Sequence, residues 1–262
     1  MISMHAAAAT MTLALAASSP RPQQAASVPT IQQNPDPALK YSKIRAARLS
    51  EVKGDVALDR DAGTGFEVAF ANLPITEHSR LQTGMGRAEV EFEDNSTVRL
   101  APFTLAEFSR LQLLPSGGKA STVTVLKGTA YVSLIPSYVV NTKGNDFQLT
   151  FGEQTLHLEP SAHIRLQLGE TQAQLAVLDG AGQLEGPLGA GRLTHKKTFT
   201  FNLGSAAEPV IARHVRTAPL DKWDRSSADV HIRNASIGSL PNLGGKGNKK
   251  PASSGMPHDI FR

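Results

Sequence analysis

The stretch Arg87–Leu100, RAEVEFEDNSTVRL, alternates apolar and polar residues with a period of two on both sides of a turn signal. This is the period of a β-strand, whose successive side chains point to opposite faces. Asn95 lies in the turn, where asparagine tolerates the left-handed backbone of tight turns. The stretch therefore predicts a β-hairpin with one buried face and one solvated face. The residues predicted to be buried are Ala88, Val90, Phe92, Val98 and Leu100.

An acidic run in this hairpin could be catalytic, or it could be the wet face of a strand: Glu89, Glu91, Glu93 and Asp94. A general acid needs a pKa raised by burial, whereas strand parity places the glutamates, Thr97 and Arg99 on the side predicted to face water. The expected role is cross-strand ion pairing, with Glu91 opposite Arg99, worth on the order of a few tenths of a kcal/mol. Contact with a partner is the alternative, and no catalytic residue is predicted.

The hairpin unit recurs further along the chain. FEDNSTVRLAPFTLAEF (92–108) aligns with FGEQTLHLEPSAHIRL (151–166), and TVLKGTAYVSL (124–134) aligns with AVLDGAGQLEG (176–186). A shorter related stretch is SEVKGDVAL (50–58). The last three segments share one glycine position, occupied by Gly54, Gly128 and Gly180.

The shared glycine is predicted to lie in a β-bulge. Before Gly128 the apolar positions are odd-numbered, at Val123 and Val125, and after it they are even-numbered, at Ala130 and Val132. A change of parity within one strand requires an extra residue, and such bulges bend a sheet. The sequence therefore predicts an all-β fold, a rolled β-sandwich or short β-solenoid built from a duplicated hairpin unit.

The N-terminal region differs from the β body. An uncharged run, Ala6–Ala17, contains a small-x-small pattern and predicts a signal peptide at residues 1–26, followed by a flexible Pro-, Gln- and Ser-rich linker at 27–44. We therefore expect an exported protein, periplasmic or secreted, with no stable membrane span after cleavage. The body is predicted to comprise a first β domain at 45–141 and a second β repeat, packed on the first, at 142–205.

The C-terminal segment, residues 206–262, is predicted to carry one short helix near 219–230 and a disordered basic tail. Pro219 and Asp221 suit the first turn of a helix, and Trp223 is the only tryptophan in the chain. This tryptophan is expected either to dock the helix on the β body or to face a ligand. The candidate partner-contact residues are therefore Glu89, Glu91, Glu93, Arg99 and Trp223.

Composition excludes several classes of function. The chain has no cysteine, which excludes thiolate metal sites, disulfides and cysteine nucleophiles. Its net charge of +4 is not accompanied by cationic clusters beside aromatic residues, so nucleic-acid binding is not predicted. The sequence contains no Gly-x-Ser-x-Gly, His-Glu-x-x-His or phosphate-loop motif. We predict a protein that is not an enzyme and that uses no cofactor or metal.

Four short motifs occur together and in order: VKGDV (52–56), LP (73–74) before RLQTG (80–84), RAEVEFEDNSTVRL (87–100) and LKG (126–128). With them, the region from about Ala47 to Leu134 resembles the FecR domain, the periplasmic domain of FecR-type sigma-factor regulators in bacterial ferric-siderophore signalling. Two departures are local. His78-Ser79 stands where the family usually has Gly-Asp, and Asn95 replaces the usual turn glycine.

The resemblance implies a binding or assembly module of the bacterial envelope. Full regulators of this family carry a cytoplasmic segment and a transmembrane helix before the domain. The chain is more similar to secreted stand-alone FecR-domain proteins, some of which have a segment resembling LDKWDRSSAD (220–229). We expect a non-catalytic module that recognises an envelope protein or peptide, for example through an open sheet edge. The alternative is a structural β scaffold without a specific ligand.

Overall fold

The computed structural model describes residues 44–205 and 207–238. The predicted signal peptide, nearly all of the predicted linker and the basic tail lie outside these described residues. Within the described ranges the chain forms seventeen β-strands and one α-helix. The strands are β1 Ala47–Lys53, β2 Val56–Asp59, β3 Glu67–Val68, β4 Pro74–Ile75, β5 Arg80–Thr83, β6 Arg87–Glu91, β7 Thr97–Leu100, β8 Leu105–Leu113, β9 Lys119–Ser133, β10 Asp146–Phe151, β11 Gln154–Leu158, β12 His163–Leu168, β13 Gln172–Asp179, β14 Ala181–Glu185, β15 Gly191–Thr194, β16 Lys197–Asn202 and β17 Val210–Ala212, and the helix is α1 Asp221–Gly238.

The strands form two layers that share the long strand β9. Sheet A has the order β3-β2-β5-β8-β9-β10-β11-β14-β15 and uses the first part of β9. Sheet B has the order β4-β1-β6-β7-β9-β12-β13-β16-β17 and uses the last part of β9. All of these pairings are antiparallel except β9 with β10. The predicted all-β sandwich is confirmed.

The three shared glycines mark the corners at which the chain passes from one sheet to the other. Gly54 separates β1 of sheet B from β2 of sheet A, Gly180 separates β13 of sheet B from β14 of sheet A, and Gly128 lies where β9 changes sheets. All three have a positive φ, of 76°, 68° and 89° respectively. The predicted parity change is confirmed, because Val125 and Val132 on either side of Gly128 are both buried. The register of β9 also shifts just before this glycine.

The two copies of the hairpin unit occupy opposite sheets. In the first copy the β6–β7 hairpin belongs to sheet B and β8 to sheet A, while in the second the β10–β11 hairpin belongs to sheet A and β12 to sheet B. The second copy therefore extends both sheets of the first copy. One contiguous core includes residues from both copies.

The core is filled by the residues that the hairpin pattern predicted. Phe92 packs edge-on against Phe147 at a ring-centroid distance of 5.2 Å, and Phe151 of sheet A packs against Phe201 of sheet B at 5.5 Å. Asn95 has a φ of 65°, as expected for a tight turn. The predicted buried face is confirmed: Ala88, Val90, Phe92, Val98 and Leu100 are all buried.

Helix α1 lies on the outer face of sheet B. Its start agrees with the prediction, but it ends at Gly238 and not near residue 230. The reason is tertiary, because Ala235 and Ile232 in its second half pack against Ile135 and Val139 of the segment that follows β9. Within the described ranges, no helix combines the length and apolar character needed to cross a membrane.

The corner geometry predicts that Gly128→Ala destabilises the protein much more than Gly117→Ala. Both glycines have a positive φ, so both substitutions strain the backbone by roughly 1–2 kcal/mol. A Cβ at Gly128 would lie 2.6 Å from the Phe103 carbonyl oxygen, whereas a Cβ at Gly117 meets nothing within 4 Å. We expect Gly128→Ala to lower the free energy of unfolding by about 2–5 kcal/mol in urea titrations. Equal losses for the two variants would contradict a close approach at this corner.

Candidate functional site

A row of polar side chains crosses four strands on the outer face of sheet B. Glu89 of β6 is the register partner of Arg99 of β7, which is opposite Tyr131 of β9, which is opposite Arg165 of β12. All four side chains point away from the core, as strand parity predicted for Glu89 and Arg99. Helix α1 covers them, and we call these four residues together with the polar residues of α1 that contact them the helix clamp.

The prediction that this face is solvated is wrong for Glu89, Thr97 and Arg99. Glu89 is 4% exposed, Arg99 is fully buried and Thr97 is buried beside them. Parity indicates the face on which a side chain lies, but a helix more than 120 residues later in the chain decides whether water reaches it. With α1 in place, Glu89 and Arg99 are inaccessible to a partner.

The predicted cross-strand partner of Arg99 is wrong. Glu89, and not Glu91, lies opposite Arg99, and Glu91 lies opposite Thr97. Glu91 instead forms an ion pair with Arg48, and its Oε1 lies 3.3 Å from His231 Nδ1.

The other two predicted contact residues lie nearer the surface. Glu93 is exposed and holds Arg45 in a two-point ion pair, with oxygen–nitrogen distances of 2.9 and 2.7 Å. Trp223 is half-buried, the Arg87 guanidinium lies 4.5 Å from its ring centroid, and its indole N–H donates to Glu51 Oε2 at 3.3 Å. The structure therefore does not bring the five predicted residues together as one surface, since Glu89 and Arg99 belong to the helix clamp.

Two arginines of sheet B form hydrogen bonds with the first two carboxylates of α1. Arg99 Nε donates to Glu89 Oε2 at 2.7 Å, and its Nη1 donates to Asp224 Oδ1 at 2.9 Å. Arg165 Nη1 donates to both oxygens of Asp221 at 2.6 Å. Each arginine therefore connects the sheet to the helix by charge-assisted hydrogen bonds, which are the stronger class.

Two histidines and several hydroxyl groups complete the clamp. His163 Nε2 lies 2.6 Å from Asp224 Oδ2, and His231 Nε2 lies 2.8 Å from Glu89 Oε1. The Ser227 hydroxyl donates to Glu89 Oε2, the Ser50 hydroxyl donates to Glu89 Oε1, and the Tyr131 hydroxyl donates to Asp221 Oδ1. The buried carboxylates are thus satisfied from both sides of the interface.

Helix α1 docks through polar and small residues because of their spacing. Its buried positions are Asp224, Ala228, His231 and Ala235, which recur every three to four residues and so share one face. These positions are not occupied by large apolar residues, so the apolar period of an amphipathic helix does not reveal the clamp. The available signal was a pair of acidic residues, Asp221 and Asp224, three apart at the start of a weakly apolar helix.

The clamp lowers the pKa of two carboxyl groups, those of Glu89 and Asp221. Burial by itself would raise the pKa of Glu89, but hydrogen bonds from His231 and Ser227 and the charge of Arg99 outweigh burial and lower it strongly. The pKa of Asp221 is lowered in the same way, with burial opposed by Arg165. Burial, reinforced by the neighbouring Asp221, raises the pKa of the Tyr131 hydroxyl. Glu89 and Asp221 are therefore ionised at neutral pH.

The clamp is a structural device in this conformation. The side chains of Glu89, Arg99 and Asp224 are almost wholly buried, so a substrate cannot approach them while α1 is docked. Within residues 44–205 and 207–238, no group of three or more histidine, aspartate or glutamate side chains is arranged to hold a metal ion.

A different surface exposes apolar side chains on neighbouring turns. Phe70, Met85 and Phe103 are 66%, 83% and 65% exposed. Backbone hydrogen bonds place the three turns next to one another. The Ala69 N–H donates to the Val56 carbonyl and the Gly84 N–H donates to the carbonyl of the preceding residue, Asp55. The Phe103 N–H donates to the Gly84 carbonyl. We call the surface formed by these three apolar residues the apolar ridge.

Phe103 is the least expected member of the apolar ridge. Its φ is 60°, in the left-handed region that bulky residues rarely adopt. Its carbonyl oxygen lies against the corner at Gly128. An aromatic side chain is therefore exposed to solvent on a strained backbone. Asparagine or glycine would suit this backbone conformation better.

Comparison with known proteins gives only distant likenesses. No protein-family profile and no curated protein sequence matches the chain. Two crystal structures of "a putative anti-sigma factor" from Parabacteroides distasonis are similar in part. One is 12% identical, with a TM-score of 0.42 over 52% of this chain and 59% of that chain. The other is 13% identical, with a TM-score of 0.44 over 61% of this chain and 74% of that chain. At these values the likenesses assign no activity or partner to this chain.

The clamp predicts a large loss of stability for Arg99→Met. This change leaves Glu89 and Asp224 buried without their shared cation, which costs about 3–5 kcal/mol. The matched control is Arg60→Ala, which removes an exposed ion pair with Glu67 and should cost less than about 1 kcal/mol. Urea titration followed by the fluorescence of Trp223 measures both, because this single tryptophan lies on α1. Similar small losses for the two variants would show that α1 does not depend on Arg99.

The lowered carboxyl pKa values predict that α1 is released in acid. A carboxyl whose folded pKa lies below its unfolded pKa of about 4 contributes stability above that value and loses it as pH falls towards the folded pKa. Between pH 4 and pH 2 the free energy of unfolding should therefore decrease by up to ~1.4 kcal/mol per pH unit for Glu89. Urea titrations at pH 7, 4 and 3 measure this slope. The slope should be smaller in Glu89→Gln, and an identical slope in that variant would contradict the assignment.

Proposed function

We propose that this chain is a non-catalytic binding module of the bacterial cell envelope, related to the FecR domain, which recognises another envelope protein or peptide. The observation that carries the proposal is the apolar ridge formed by Phe70, Met85 and Phe103. Large apolar side chains that share an exposed patch are typical of contact surfaces. The clamp face is buried under α1, so the ridge is the better candidate for recognition.

The conformation of Phe103 strengthens this argument. A bulky residue with a left-handed backbone lowers stability by roughly 1–2 kcal/mol relative to a relaxed conformation. Strained residues of this kind cluster at functional sites, where the side chain is needed in that position. Phenylalanine and methionine are also enriched at protein–protein interfaces relative to the rest of the surface.

The relation to the FecR domain is supported by backbone conformation at the two local departures. His78 stands where the family usually has glycine, and its φ is 66°. Asn95 stands where the family usually has a turn glycine, and its φ is 65°. Both positions therefore keep the left-handed backbone that favours glycine, which is what a shared fold requires.

Export to the periplasm or beyond is part of the proposal. It depends on the uncharged run Ala6–Ala17 and the small-x-small pattern within it, which lie outside the described residues. A mature protein that starts between Ala17 and Ser27, identified by N-terminal sequencing of the exported form, is the corresponding expectation.

The proposal predicts that Phe103→Asn abolishes partner binding without harming the fold. Asparagine tolerates the left-handed backbone, so the free energy of unfolding should be unchanged or slightly higher. Immobilised protein should retain one abundant, salt-resistant protein from envelope extract, measured by quantitative mass spectrometry. Phe103→Asn should reduce the retained amount by at least about tenfold, because loss of an aromatic contact worth ~1.4 kcal/mol or more weakens binding by that factor.

The matched control is Val210→Asn, which removes another highly exposed apolar side chain. Val210 lies on strand β17, at the edge of sheet B. It should leave the retained amount unchanged. Equal loss in both variants would contradict recognition through the apolar ridge. Absence of any retained protein across growth conditions would favour a structural scaffold.

A further inference from the structure

Most arginines of the β body are already paired with carboxylates. They are Arg45, Arg48, Arg60, Arg80, Arg87, Arg99, Arg165 and Arg192. In contrast, Lys196, Arg213 and Arg225 form no side-chain ion pair within the part of the chain that the structure describes. These three cations come from three different segments, the β15–β16 turn, the segment after β17 and helix α1, and they converge on one groove.

The groove lies beside the helix clamp and has a volume of about 370 Å³. Lys196, Arg213, His214 and Arg225 line it together with the Thr217 hydroxyl, and Leu178 and Val215 form apolar parts of its wall. This volume lies within the range of small-ligand sites, which is about 300–1,000 Å³. The groove is therefore large enough for a compact anionic group and its immediate substituents.

One carboxylate lines the groove, but it is already neutralised. Asp221 accepts two hydrogen bonds from Arg165 Nη1, one from the Tyr131 hydroxyl and one from the Ala218 N–H. Its charge is therefore directed towards the clamp and balanced there. The three unpaired cations remain, so the field in the groove favours an anion.

An adjoining depression is lined by a buried arginine. It shares His214 and Thr217 with the groove and is also lined by Arg165 and Arg216. The Arg165 side chain is 5% exposed, and its Nε has no hydrogen-bond partner. This N–H is itself out of contact with solvent and the Arg165 charge is paired with Asp221, so the donors available to an anion are those of Lys196, Arg213 and Arg225.

We propose that this groove, lined by Lys196, Arg213, His214 and Arg225, binds a phosphate group of a phosphomonoester, diphosphate or phospholipid headgroup. Two arginine guanidiniums present planar pairs of N–H donors that match phosphate oxygens, while lysine adds a mobile charge. The site is independent of the apolar ridge, so a protein partner and a phosphate ligand could be held at the same time. It gives an envelope module a second contact, with a different chemistry.

The test measures binding of two probes to the full chain at low ionic strength. Isothermal titration calorimetry with sodium pyrophosphate tests a soluble phosphate. Flotation with vesicles of phosphatidylglycerol and phosphatidylcholine, compared with phosphatidylcholine alone, tests a headgroup. We expect at least one probe to bind, and the double variant Arg213→Gln/Arg225→Gln to weaken that binding by at least about tenfold, as expected for the loss of charge-assisted hydrogen bonds.

The matched control is Arg110→Gln/Arg233→Gln, which removes two arginine charges outside the groove and should change binding by less than about twofold. Lys196→Gln provides a second groove variant, with a smaller loss, if the double variant does not fold. Pyrophosphate binding alone would identify a soluble phosphate, and vesicle binding alone would identify a headgroup. Binding of neither probe, or equal weakening by the groove and control variants, would overturn the proposal.

Discussion

Arg99 is the residue through which the helix and the β body become one structure. It is fully buried, and it reaches Glu89 on the adjacent strand and Asp224 on a helix 125 positions later in the chain. Removing a guanidinium from water is expensive, and most of its attraction to carboxylates offsets that cost. The consequence is that the position of α1 on the sheet is fixed. Any other rotation or translation of α1 would leave Arg99, Glu89 or Asp224 charged and unpaired in the interior, so the clamp selects one docked arrangement.

The clamp depends in turn on how the β body is rolled. The polar row from Glu89 to Arg165 is straight only because β6, β7, the last part of β9 and β12 are neighbours in sheet B. Strand β9 reaches that sheet by turning at Gly128, where a side chain would collide with the Phe103 backbone. One glycine corner therefore decides both the layer to which Tyr131 belongs and the strain at Phe103. Core packing, helix docking and the exposed aromatic residue are consequences of the same turn.

The rolled body separates surfaces with different chemistry. Helix α1 covers the clamp residues on the outer face of sheet B. Its buried contacts are ionic in the first turns and apolar around Ala235. The turns near the Gly54 and Gly128 corners present the apolar ridge, and a groove beside the clamp is lined by the unpaired cations Lys196, Arg213 and Arg225. The proposed protein contact and the proposed anionic contact therefore use different residues. In the clamp, the lowered pKa values of Glu89 and Asp221 mean that helix docking favours their ionised forms.

The properties that depend on residues close together in the chain could be predicted from the sequence. It predicted the buried face of the first hairpin, the positive φ of Asn95 and the change of parity at Gly128, because strand alternation and turn conformation are local properties of the backbone. It also predicted the start of a helix near Asp221. The tertiary structure alone decided that Glu89 and Arg99 are buried, that Glu89 lies opposite Arg99, and that α1 continues to Gly238. Those outcomes depend on which distant segment covers a face, and alternation along one strand contains no information about a helix that arrives more than a hundred residues later.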